Sequence, residues 1–314
     1  MSSTRREILD RLANGPTSGP QLAAELGVTR AAVWKHVDAL REAGFEIQST
    51  PNGYVLDAIG SYGKAALEFG LECPVDIEYH ESIGSTNRRA RKLASDGRVD
   101  IAVIANEQHA GRGRLDRSWI GPSGSIYCSL VVQPSLPPSE APILTMAAAV
   151  SAVEAISQVG VQPVIKWPND LLVIRDETEY KIGGILTEVA GEADRLRWAI
   201  IGIGINANVA VDSLPPNAIS LQHLVGTSVD RREIVQALLC GLYDRLDRPQ
   251  SILEDWRSHT NTLGRRVRVQ TPTETIEGVA TDVTFPGALC IDTGSDIVAV
   301  HAGDCEHLRP VNPD

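Results

Sequence analysis

Near the start of the chain, Ile8, Leu9 and Leu12 recur at helix spacing and predict a helix over residues 5–13, stopped by Asn14-Gly15-Pro16. Ser18 is placed to cap a second helix over 21–26, and Gly27-Val28 supplies a tight turn. Thr29 can cap a third helix over 30–43, with Ala32, Val33, Val37 and Leu40 as its buried stripe and Gly44 as its stop. Two short strand-like runs, 45–49 and 54–56, flank the hairpin signal Pro51-Asn52-Gly53. Helix, glycine turn, helix and β wing make a winged helix-turn-helix pattern over residues 1–60. Its third helix would be the recognition helix, presenting Arg30, Ala31, Trp34, Lys35 and His36 to DNA. A three-helix protein-interaction or dimerisation module is the competing reading; the near-neutral charge of this segment weakens the DNA reading, which the agreement of helix, turn and wing still favours.

After a linker-like stretch at 57–62, the pattern changes. Strand-like runs at 75–79, 101–107, 127–132, 164–166, 171–174, 181–189 and 196–205 interleave with helical runs at 85–94, 138–158, 230–246 and 252–260. Many strands follow one another directly, which predicts an α+β fold with a mixed sheet backed by helices over residues 61–263. From 264 to 314 short alternating runs with turns at Thr271-Pro272, Pro286-Gly287 and Thr293-Gly294 predict a small β-barrel.

The 314-residue chain is 43% hydrophobic and 22% charged, as expected of a globular protein, and carries a formal net charge of −11. Such a charge excludes whole-surface attraction to nucleic acid or membrane, so any DNA contact is local. Its five cysteines are widely spaced and contain no CxxC pair, which suggests neither a zinc site nor a disulfide framework. The N-terminus lacks an apolar signal core, and no run reads as the roughly 20 apolar residues of a membrane span. A cytoplasmic location is expected.

Against this acidic background, Gly111-Arg112-Gly113-Arg114-Leu115-Asp116-Arg117-Ser118-Trp119 is a dense cationic loop. Glycine permits close backbone approach, and arginine matches phosphate or carboxylate; a mobile surface turn is the plain alternative. Lys166-Trp167-Pro168-Asn169-Asp170 places opposite charges beside a rigid apolar wall, or marks a strand end with a surface ion pair. In Lys181-Ile182-Gly183-Gly184 a lysine precedes a pair of glycines that admits a flat ligand. Gly202 and Gly204 alternate along a strand ending in Asn206 and Asn208, leaving a shallow floor or allowing tight packing. Ser85-Thr86-Asn87 opens a helix, where it can cap or bind a polar group. Gln108 adds a neutral hydrogen-bonding group, and no P-loop or dinucleotide fingerprint occurs.

Taken in order, these segments resemble the biotin–protein ligases. With the N-terminal winged helix the chain is similar to the bifunctional BirA type, ligase and biotin-operon repressor in one chain. The resemblance covers nearly the whole sequence and implies a class II synthetase-like catalytic domain and a C-terminal SH3-like barrel. It implies an ATP-dependent, AMP-forming biotin–[biotin carboxyl-carrier protein] ligase. Biotin and ATP, with Mg2+, would give biotinyl-5′-AMP, and the biotinyl group would pass to one lysine of a carrier domain. On this resemblance Ser85, Thr86, Asn87, Gln108, Arg112, Gly113, Arg114, Trp119, Lys181, Gly183, Gly184, Gly202 and Gly204 would contact biotin or its adenylate. Arg112, Arg117, Lys166, Asn206 and Asn208 would contact ATP. Lys181, Asp170 and Arg114 would be catalytic. Asp170 would orient the incoming amine or hold magnesium, or else form a salt bridge to Lys166 or Lys181. The resemblance also implies a homodimer on operator DNA. The chain departs from the family pattern at Asp116, where glycine is usual, at Ser118, where a basic residue is usual, and at Ala218, where the bacterial repressor has a tryptophan near the adenine. Three rival readings are a lipoate-type ligase, a catalytically silent biotin-sensing transcription factor, and a ligase whose winged helix only docks partners.

Overall fold

The computed structural model describes residues 1–60 and 62–308, apart from the side chains of Asp116 and Ile120. Residue 61 of the expected linker and residues 309–314 of the expected barrel lie outside it. The chain divides into two compact units, Met1–Glu72 and Cys73–Asp314.

In the first unit, α1 (Ser3–Ala13), α2 (Gly19–Leu26) and α3 (Arg30–Glu42) precede the hairpin of β1 (Glu46–Thr50) and β2 (Gly53–Ala58). Ser18 Oγ accepts the Gln21 N–H and Thr29 Oγ1 accepts the Ala32 N–H, so both predicted caps form. Gly27 takes φ 65°, the left-handed turn between α2 and α3. The core joins Ile8, Leu12, Leu22, Val33, Val37 and Leu40. Arg30, Ala31, Trp34 and Lys35 are exposed along one side of α3, and His36 is half-buried. A short helix, α4 (Lys64–Glu68), carries the unit past the expected end at residue 60. Phe69 is buried in the same core, edge-on to Phe45 at 5.8 Å, and its apolar burial draws the segment in.

The second unit is built on a mixed sheet. Its strands are β3 (Asp76–Ile83), β4 (Ile101–Arg112), β5 (Ser118–Gly121), β6 (Ile126–Val132), β7 (Val164–Lys166), β8 (Asp170–Arg175), β9 (Thr178–Gly191) and β10 (Leu196–Ile205). They run in the order β3-β4-β6-β10-β9-β8-β7, with β5 paired to β4. Among the described strand pairs of this sheet, β3–β4 is parallel and the others are antiparallel. Helix α5 (Thr86–Ser95) packs on β4, β6 and β10. Helix α6 (Pro142–Ser157) packs against α8 (Arg231–Leu246) and α9 (Ile252–His259), while α7 (Leu221–Val225) is a short turn between.

The segment Pro138–Ser157 corrects one expectation, because by length and composition it could cross a membrane. Here it is a core helix: Ile143, Leu144, Val150 and Ile156 are all at or below 1% exposure. Its alanines let neighbouring elements approach closely, which explains an apolar surface on every side.

Five antiparallel strands follow: β11 (Arg266–Gln270), β12 (Thr275–Thr284), β13 (Ala288–Asp292), β14 (Ile297–Val300) and β15 (Asp304–His307), ordered β14-β13-β12-β11-β15. Alternate residues such as Val267, Val269, Ala280, Leu289 and Ile291 are fully buried. This sheet belongs to the same compact unit as the mixed sheet. Trp167 bridges them: its indole N–H donates to Gly287 O at 3.0 Å, and its backbone N–H donates to the buried Thr262 Oγ1 at 2.9 Å.

Candidate functional site

A cleft of about 1240 Å³ opens over the middle of the mixed sheet. Its floor comes from β10 and β9, where Gly202, Gly204 and Gly184 face it. The glycines accommodate side chains of this chain itself. A Cβ on Gly202 would lie 2.0 Å from Asn87 Oδ1, and one on Gly204 would lie 2.9 Å from the Trp119 ring. Gly183 does not line the cleft; a Cβ there would meet Gly204 O at 2.7 Å. Its role is close strand packing, which corrects its assignment as a ligand contact.

At one end the N-terminus of α5 enters the cleft. Ser85 caps the helix by accepting the Arg88 N–H. The Thr86 N–H and Oγ1 both donate to Gln108 Oε1, at 2.7 and 3.0 Å. Asn87 Nδ2 donates to Leu186 O and to Glu188 Oε2, at 3.3 and 3.0 Å. Behind them Ser129, fully buried in β6, places Oγ 2.7 Å from Thr86 Oγ1 and 2.6 Å from Asn87 Oδ1. Thr86, Asn87, Gln108 and Ser129 form a fixed, uncharged array suited to a neutral donor–acceptor ligand, with the Glu188 carboxylate paired to Arg91 behind it.

The cationic loop is the tip of the β4–β5 hairpin. Leu115 takes φ 53°, and the Gly113 N–H closes the turn on Arg117 O at 2.7 Å. Arg114 Nη1 donates to Asn169 Oδ1 at 3.0 Å and its Nη2 to Gly303 O at 3.2 Å. Burial pushes the Arg114 pKa down, though a guanidinium stays charged at any working pH. Arg117 pairs with Asp304. The hairpin tip therefore rests on both β8's approach and the edge of β15. Trp119 lies across Gly184 and Gly204, with its buried Nε1 lacking a partner and Lys181 Nζ 5.4 Å from the ring centroid.

Lys181 Nζ donates to Asp170 Oδ1 at 2.6 Å, so of the readings left open for Asp170 the salt bridge to Lys181 is the one formed. The Lys181 backbone is held by Asn217 O and the Ile219 N–H, and Ala218 sits alongside as a parallel bridge. Lys166 lines the far wall beside Cys305, whose thiol burial pushes up to about 12, well away from a reactive thiolate.

Two expected nucleotide contacts lie elsewhere. Asn206 is 5% exposed and donates to Ile219 O and Lys181 O, while Asn208 exchanges hydrogen bonds with the backbone of Val229. Each satisfies backbone groups where the chain returns from a loop, so neither reaches the cleft. Trp167 and Pro168 do line the cleft, although Trp167 is only 2% exposed and its indole N–H is given to Gly287 O.

A model of the biotin/lipoate A/B protein ligase family matches residues 79–206, the span that supplies most of this cleft. An HTH domain model matches 4–55, and the biotin protein ligase C terminal domain matches 262–308. The bifunctional ligase/repressor BirA of Bacillus subtilis is 33% identical over 98% of this chain and 99% of its own. The chain belongs to the biotin protein ligase family. The biotin–[acetyl-CoA-carboxylase] ligase of Mycobacterium tuberculosis is 32% identical over 72% of this chain and 86% of its own. The Aquifex aeolicus biotin protein ligase solved with biotin and ATP superposes with a TM-score of 0.62 at 26% identity, covering 74% of this chain and 98% of that one.

Against the family reading, the groups that sequence reasoning missed are Ser129, Asn169, Glu188, Gly303 and Asp304. Ser129 carried a faint signal, a lone hydroxyl inside an apolar strand. Gly303 and Asp304 gave none, since their contact with the arginine loop spans more than half the chain.

Proposed function

We propose that this chain is a biotin–protein ligase that also acts as a biotin-responsive DNA-binding repressor in the cytoplasm. The observation that carries it is a single cleft in which an uncharged hydrogen-bonding array at Thr86, Asn87 and Gln108 adjoins the cations Arg112, Arg114, Arg117, Lys166 and Lys181. A ligand with a neutral ureido end and an anionic tail matches that division.

In the first step a biotin carboxylate oxygen attacks the α-phosphorus of ATP and pyrophosphate leaves. Two anions must meet, and fixed cations offset their repulsion without reorganising. Lys181 sits at the junction, oriented by Asp170. In the second step a carrier lysine amine attacks the acyl carbon, AMP leaves, and the amine loses a proton. Trp119 and the hairpin tip exclude water from the anhydride meanwhile. Magnesium enters as part of the nucleotide substrate. Among the described residues no group of three His, Cys, Asp or Glu side chains could hold a metal, and Asp170 is already engaged by Lys181. We therefore assign Asp170 to positioning Lys181.

We assign residues 61–263 to catalysis, with the β4–β5 hairpin tip as a lid over the adenylate, and the domain that begins at residue 264, whose sheet holds Arg114 and Arg117, to support of that lid. The exposed Arg30, Ala31, Trp34 and Lys35, with His36, are assigned to an operator, read by a homodimer. Incubation with biotin, Mg-ATP and a carrier domain should add one biotinyl mass to a single lysine. Footprinting upstream DNA with biotin and ATP should show protection that is absent without them. No mass shift would sink the ligase reading.

Arg114→Ala removes both lid bonds, to Asn169 and Gly303. Biotinyl-adenylate should then dissociate on the order of 10- to 100-fold faster, the loss expected of charge-assisted bonds. Stopped-flow dissociation measures this, and a wild-type rate would remove Arg114 from the lid.

A further inference from the structure

Beside the main cleft lies a shallower groove of about 470 Å³, lined by Arg88, Ala110, Gly111, Arg112 and Ser118. The two spaces share Arg88, Arg112 and Ser118, so the groove leads into the cleft at its mouth. Helix α5 carries a basic run there. Arg89 is paired with Glu78 and Arg91 with Glu188, whereas the exposed Arg88 guanidinium reaches over Gly84 beside His109. A Cβ on Gly84 would lie 3.6 Å from Arg88 Nη1 and 3.9 Å from His109 Nε2. In a chain of net charge −11, the mouth of this cleft is therefore a local cationic rim.

The ligase reading above, on which this inference rests, requires a lysine to reach the acyl carbon past that rim. Nearby cations lower the pKa of an arriving ammonium, which favours the free amine. They also repel it during approach. An acceptor segment that flanks its lysine with carboxylates resolves the conflict, because its acidic groups meet the rim while the amine passes into the cleft. We propose that the Arg88–Arg112 groove docks an acidic segment of the lysine-bearing carrier domain, with Arg88 as a dedicated partner-recognition residue outside the adenylation machinery.

The test uses the full chain and a biotin carboxyl carrier domain of an acetyl-CoA carboxylase. Arg88→Glu should raise the KM for the carrier roughly 5- to 10-fold, the effect of reversing one exposed ion pair. It should leave kcat and biotin-dependent ATP–pyrophosphate exchange at wild-type values, and Arg88→Lys should behave as wild type. Changing one acidic residue near the carrier lysine to lysine should restore the Arg88→Glu enzyme. A carrier KM unchanged in Arg88→Glu overturns the docking site. A matching rise in the KM for biotin or ATP during exchange overturns it too, by moving Arg88 into the adenylation site. Absence of exchange in the wild-type protein is a separate result that overturns the ligase reading, and the occupant with it.

Discussion

Lys181→Met should cut biotin-dependent ATP–pyrophosphate exchange by about 100- to 1000-fold, the scale of removing one preorganised donor from a charge-developing step. Methionine keeps an unbranched, flexible stem one atom shorter and removes the ammonium. Lys181 is fixed twice, by backbone bonds to Asn217 and Ile219 and by the 2.6 Å contact from its Nζ to Asp170. Both charged side chains are about one-third exposed, so breaking this pair changes stability by less than about 1 kcal/mol. The variant should therefore melt near the wild-type temperature, which separates a chemical loss from misfolding. Asp170→Asn should give a smaller defect, because the amide still accepts from Lys181 while losing its charge. An exchange rate lowered less than about tenfold in Lys181→Met would remove that lysine from the step.

What could be read in the sequence depended on how locally each role is determined. The winged helix was legible because Ser18, Thr29 and Gly27 act on neighbours within four positions, and the structure forms the predicted caps and turn. Strands 164–166 and 196–205 have the bounds their apolar runs imply. The cleft was legible where the motif itself faces it, as at Thr86, Gln108, Arg114 and Lys181.

Errors arose where distant backbone decides. Asn206 and Asn208 follow a glycine-rich strand and read as ligand groups, yet carbonyls at Ile219 and Val229 claim them. Gly183 and Gly184 are adjacent, but the strand alternation turns only Gly184 to the cleft. The contacts of Arg114 with Gly303 and of Arg117 with Asp304 depend on the second sheet folding against the first, which no local pattern encodes.

Gly202→Ala should raise the KM for biotin roughly 100-fold, through Asn87 rather than through any contact of its own. In register, Gly202 faces Ser129 on β6 and Leu186 on β9. Asn87 is anchored to those same two residues, across the glycine, and to Glu188. An added methyl would stand 2.0 Å from Asn87 Oδ1 and 2.9 Å from its Nδ2, so the amide must leave. Asn87 can then no longer present its amide to biotin, and two ligand hydrogen bonds of about 0.5–1.5 kcal/mol each cover an effect approaching 100-fold. The displaced amide would also perturb Thr86, which shares Ser129 with Asn87. Isothermal titration with biotin measures the affinity, and a melting curve checks the fold. The double variant Gly202→Ala with Asn87→Ala separates the two causes. Removing the Asn87 amide relieves the collision, so thermal stability should recover while biotin affinity stays low. Recovery of affinity in the double variant would mean that Asn87 does not recognise biotin and that Gly202 only makes room for it.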